Sequence, residues 1–205
     1  MANDSIIRQR FDEWTQNRGP LESRIALFES VRDIPYCYPA SRDPIEVLRQ
    51  GSGSCSGKHY LLGELYRLLG LRVRHMICTH RFNESAIVFP SPMQELLRKN
   101  EIVDLHDYLQ IDSDGDWVDI DATWPRNLRE FGFPVNEDWD GRSAMLLSVV
   151  SEDVAVAERD PERLKEELLS KLTPRQRTLR RQFLQALSAW VQELTAEAQR
   201  DGGSR

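Results

Sequence analysis

The chain has 205 residues, 40% of them hydrophobic and 29% charged, which suits one ordinary globular domain with an appendage. A formal net charge of −6 speaks against nucleic acid as a partner, and no apolar run approaches the ~20 residues that span a bilayer. Three sparse cysteines and an N-terminus without basic and apolar signal regions lead us to expect a reduced, cytoplasmic protein.

Residues 5 to 18 and 20 to 32 read as two helices split by Gly19-Pro20. Ile34 to Asp43, with two prolines and two tyrosines, reads as an extended loop. Asp43-Pro44 then caps and opens a short helix that ends near Gly51. A run of small residues, Gly51 to Ser54, leads to Cys55 and a helix with a broad apolar stripe (Leu61, Leu65, Leu68) that stops at Gly70. A thiol at a helix N-terminus lies against unpaired N–H groups and the positive end of the dipole, and both favour thiolate. Cys55 is therefore the candidate nucleophile. Cys37, between tyrosines, and Cys78, within a strand, read as structural.

Leu71 to Thr79 reads as a strand, and His80 to Asn100 as an insertion bordering a cleft, with a short helix from Met93 to Lys99. Val103 to Ile111 and Asp116 to Thr123 form the clearest hairpin. A two- or four-residue loop puts Leu105, Leu109 and Ile111 on one face with Val118, Ile120 and Ala122. His106 and Asp121 then share the other face. A turn at Ser113-Asp114 sets these two directly opposite. One at Asp114-Gly115 makes them diagonal neighbours, roughly 7–8 Å apart between α-carbons. A three-residue loop with a bulge would separate them.

Among the histidines, His106 alone has an acid at a cross-strand position. His59, one turn after Cys55, is its strongest rival, and His75 and His80 flank a strand end without a facing carboxylate. Strand parity excludes Asp107 as the partner of His106 but leaves Asp119 beside Asp121. No metal and no cofactor is expected. In Asp112 to Asp116 the glycine is fourth rather than sixth, unlike a calcium loop, and Cys55, His59, Cys78 and His80 lack the short spacings of a zinc set. Farther on, Asp160-Pro161 and Thr173-Pro174 open two helices. The second runs toward Gln199, with Leu179, Phe183, Leu187, Trp190, Val191 and Leu194 in one stripe. That much apolar surface has to dock on the domain or on a second subunit, and a regulatory or oligomerising role is expected for it, with a homodimer as one form.

Gly53-Ser54-Cys55-Ser56-Gly57-Lys58, the exit Leu69-Gly70-Leu71-Arg72-Val73-Arg74, His106-Asp107-Tyr108-Leu109 and Gly115-Asp116-Trp117-Val118-Asp119-Ile120-Asp121-Ala122-Thr123 together resemble the signature of the transglutaminase-like superfamily. The resemblance covers roughly residues 25 to 125. It implies an α+β, papain-like core with a central helix against an antiparallel sheet, and Cys55, His106 and Asp121 as a catalytic triad. Residues 1–150 would be the catalytic domain and 151–205 a C-terminal α-helical extension. Two departures stand out. Asp107 follows the histidine where a small residue is common, and the upstream oxyanion tryptophan has no match, leaving Tyr36, Tyr38 or Gln50 to stand in.

The activity implied is thiol-dependent acyl transfer, with hydrolysis of a peptide or small amide preferred over amine-accepting transglutamination. A protein-binding module on the same fold is the alternative. An arylamine N-acetyltransferase using coenzyme A shares the triad order but not the residues around the thiol.

Overall fold

A computed structural model describes residues 2–157 and 159–202. The first helices, α1 (Ala2–Thr15) and α2 (Pro20–Arg32), are followed by α3 (Pro44–Gln50) and α4 (Cys55–Leu68). Local signals set these bounds. Asp43 Oδ1 accepts from Ile45 N–H at 2.8 Å to cap α3, and Gly51 ends it in the left-handed conformation at φ 60°.

Strand β1 (Val73–Arg81) leads through a 3-10 turn to α5 (Ser91–Lys99), then to β2 (Val103–Ser113) and β3 (Asp116–Ile120). The remaining elements are β4 (Glu152–Ala157), α6 (Pro161–Ser170) and α7 (Pro174–Gly202). All four strands pair antiparallel in the order β3-β2-β1-β4. The expected α+β architecture is borne out. One element differs from expectation: residues 152–157, read within a helical extension, form an edge strand on β1. The boundary expected at residue 150 thus falls just before a strand that hydrogen-bonds into the sheet of the preceding residues.

The β2–β3 hairpin turns at Asp114-Gly115, both with positive φ (57° and 101°), and Ser113 faces Asp116 across it. The next pairs, Ile111 with Val118 and Leu109 with Ile120, place the apolar side chains against α4. There Leu61, Leu62, Leu65 and Tyr66 are fully buried, each contributing about 1.5–3 kcal/mol of transfer free energy. A second apolar cluster joins α7 (Phe183, Leu184, Leu187, Val191) to Tyr36, Phe82 and Trp124. The α7 stripe therefore docks on its own chain, and the site described next lies between the two clusters.

Gly57 fixes how α4 enters that site. A Cβ there would stand 2.8 Å from the Ser41 carbonyl oxygen and 2.8 Å from Val47 Cγ2. Alanine in a helix ordinarily stabilises by about 1 kcal/mol relative to glycine. Here overpacking should reverse the sign, so Gly57→Ala is expected to cost about 1–3 kcal/mol in urea denaturation. A stabilised variant would contradict this packing.

Candidate active site

Cys55 is the first residue of α4. Ser54 caps the helix, its Oγ accepting from Gly57 N–H at 3.5 Å, and Gly53 is held as a parallel bridge beside Tyr36. The thiol is half-buried and shares the lining of one cavity with His106. The imidazole Nε2 lies 2.8 Å from Asp121 Oδ2. The Asp114-Gly115 turn makes His106 and Asp121 diagonal neighbours, the second of the two expected registers. Asp119 instead accepts from Gln110 Nε2 at 2.9 Å, away from the imidazole.

Asp121 is firmly held. Its Oδ2 also accepts from Ser148 N–H at 2.7 Å, and its Oδ1 accepts from Thr123 N–H at 3.0 Å. Burial opposes its charge, but the His106 cation and these donors outweigh burial and keep the carboxyl well below its usual range. Burial likewise disfavours an imidazolium at His106, yet Asp121 and the thiol raise that group well above the ordinary histidine value. Cys55 completes the pattern. Burial pushes the thiol up, while the Lys165 ammonium and the His106 hydrogen bond bring it below the usual thiol range. The three groups together favour a thiolate–imidazolium pair.

His59 is not a competing base. Its Nδ1 donates to the Cys55 carbonyl at 2.8 Å, and its Nε2 accepts from Ala122 N–H at 2.9 Å. With both nitrogens used, and burial lowering it to about 4, the ring stays neutral and braces α4 against the strand end. Lys58 does similar work, its Nζ donating to the Arg32 and Thr123 carbonyls at 2.8 and 2.7 Å. Burial brings that amine down to about 7.

One expectation is corrected. His80 does face a carboxylate: the β1–β2 register pairs it with Asp104, and Nε2 lies 3.8 Å from Asp104 Oδ2. Asp104 is in turn ion-paired with Arg180 of α7. Two groups not expected at the thiol, Asp107 and Lys165, also stand beside it. Parity correctly separates Asp107 from His106, but the carboxylate turns to the other side of the thiol. Its Oδ2 lies 4.0 Å from Cys55 Sγ, accepts from Ser56 Oγ at 2.7 Å and is ion-paired with Lys165 of α6. The departure at position 107 was the available signal. Lys165 has no local one.

Two cavities flank the thiol. One of ≈ 30 Å³ is walled by Tyr36, Phe82, Trp124 and Leu187, with Cys55 and His106 on its lining. A second, of ≈ 100 Å³, runs past Tyr38, Arg42, Ser56 and Arg180. Tyr36 lines both, whereas Gln50 lies exposed at the end of α3 with its amide 3.5 Å from Glu46. Thr123 Oγ1 and Trp124 Nε1, on two residues that line the first cavity, are buried without a protein partner.

No helix among the described residues is long and apolar enough to cross a membrane. No protein-family model and no curated protein matches the chain. Among solved structures it is similar to a protein from Cytophaga hutchinsonii described as a "putative cysteine protease", at 15% identity, with a TM-score of 0.43 and coverage of 76% of this chain and 50% of that one. It is also similar to a TGase at 13% identity and a TM-score of 0.43, over 70% of this chain and 41% of the other. The chain thus spans half of the first structure and less than half of the second.

Proposed function

We propose that the chain is a cysteine hydrolase of transglutaminase-like type, cleaving an amide or peptide bond through Cys55, His106 and Asp121. The observation that carries this reading is the 2.8 Å contact of His106 Nε2 with Asp121 Oδ2, with Cys55 and His106 on the lining of one cavity. In the first step the thiolate attacks the carbonyl carbon, and the imidazolium gives its proton to the departing amine. The product is a thioester on Cys55. Water then attacks that acyl carbon as His106 takes its proton, and the C–S bond breaks to free the acid and restore the thiolate–imidazolium pair. An amine in place of water would give transamidation.

The oxyanion formed in each step needs donors. The Cys55 backbone N–H, in the first turn of α4, supplies one. Tyr36 and Trp124 border the same cavity, and burial holds the Tyr36 hydroxyl protonated. Either can supply the second.

Alkylation by iodoacetamide tests the reading. Cys55 should label faster than Cys37 and Cys78 at neutral pH, along a profile that begins below the ordinary thiol range, and Cys55→Ala should abolish turnover of amide substrates. A thiol as sluggish as the other two would favour the non-enzymatic binding module.

A further inference from the structure

Helix α6 buries one side chain fully, and it is a lysine. Leu164, Leu168 and Leu169, which would ordinarily dock such a helix, are only half-buried. Lys165 Nζ donates to Ser56 Oγ at 2.8 Å and to the Leu105 carbonyl at 2.9 Å, and it pairs with Asp107 Oδ2. Desolvating an ammonium is costly, and an apolar side chain in such a place is often as stable or more so. Stability alone therefore does not account for the lysine.

The thiol does. Asp107 Oδ2 lies 4.0 Å from Cys55 Sγ, and at that separation an unpaired buried carboxylate would strongly oppose a thiolate. The ammonium sits on the same oxygen and cancels its charge.

We propose that Lys165 is a positioning residue for the nucleophile: it neutralises Asp107, holds that carboxylate on Ser56, and so makes α6 part of the thiol site. This rests on the reading of Cys55 as the nucleophile. The other charged or titratable groups facing the pair come from every element around it. His106 and Asp104 lie on β2, His75 and His80 on β1, Lys58, His59 and Tyr60 on α4, and Asp121 just past β3. Tyr36 and Arg42 line the flanking cavities. Arg180 is spent on Asp104 and Arg42 faces Glu162 and Glu166, which leaves Lys165 as the cation paired with Asp107.

A charge cycle on the full-length chain tests this, reading Cys55 alkylation by iodoacetamide against pH with mass-spectrometric assignment of the labelled peptide. Lys165→Met leaves Asp107 bare, so the profile should move about one pH unit or more upward, roughly tenfold slower labelling near neutrality. Asp107→Asn leaves the ammonium beside the thiol and should move the profile downward. The double variant should return toward wild type, and Lys165→Arg should keep most of the native profile. A lysine that only holds α6 in place would slow both single variants together or leave both unmoved, and either result overturns the proposal. Should Lys165→Met fail to fold by circular dichroism, Asp107→Asn and the double variant still decide it, since neither buries an unpaired anion. Fast wild-type labelling with unmoved variants overturns only the role of Lys165. Slow wild-type labelling overturns the nucleophile reading and this one with it.

Discussion

Asp121→Asn is expected to lower kcat by about 10⁴-fold while the protein stays folded. The carboxylate now fixes the imidazole through Nε2 at 2.8 Å and balances its positive charge. An amide of the same shape keeps the contact but not the charge, and its NH₂ group can favour the wrong tautomer. Asp121→Ala should go further. It leaves the N–H groups of Ser148 and Thr123 and the ring of His106 buried without their acceptor, a loss of about 3–5 kcal/mol in urea denaturation. The pH dependence has a defined sign. Folding lowers the Asp121 carboxyl, so its stabilisation is complete above the ordinary carboxylate range and drains away as pH falls toward the depressed value. Folding raises His106, so its share is complete below the ordinary imidazole range and is lost as pH climbs through the raised value. The stability gap between wild type and Asp121→Asn should therefore be widest in the window between them and shrink in strong acid. A gap independent of pH would sink the ion-pair description.

Phe183→Ala is expected to destabilise the whole chain by about 3–5 kcal/mol. The residue is fully buried on α7, its ring 4.4 Å from Phe82 and 5.2 Å from Phe89 between centroids. The same cluster holds Tyr36, Trp124 and Leu187, which wall the cavity beside Cys55. A single cooperative transition should move to lower urea with its slope unchanged. If α7 were an independent appendage, the variant would instead split off an early transition and leave the main one where it was.

How much of this the sequence disclosed depends on the range of the interaction. The β2–β3 hairpin was legible because alternation and the Asp114-Gly115 turn set its register locally, and that register brings His106 to Asp121. Cys55 was legible through its place after a cap and a run of small residues. The β1–β2 register was not, because the strands are separated by an insertion containing α5 and no short turn fixes their pairing. Asp104 opposite His80 was missed for that reason. Lys165 stands among Glu162, Arg163, Glu166 and Glu167, and such a helix reads as a solvated face. Only the long-range approach of α6 to β2 shows that this one charge turns inward.

The ammonium behind the thiol also gives the molecule a timetable. A growing chain leaves the ribosome N-terminus first, at about 5–20 residues per second. Cys55, His106 and Asp121 all precede α6 and α7, so for several seconds the chain carries the thiol without the two helices that complete the fold around it. On the role proposed for Lys165, the nascent protein carries a dull sulfur that becomes a strong nucleophile only once α6 has docked. A new chain would thus be slow to acylate itself or its neighbours during its own synthesis. Pulse alkylation of ribosome-stalled chains ending before α6, against the full chain held clear of the ribosome by a linker, would measure the change, and equal Cys55 reactivity in both would refute it.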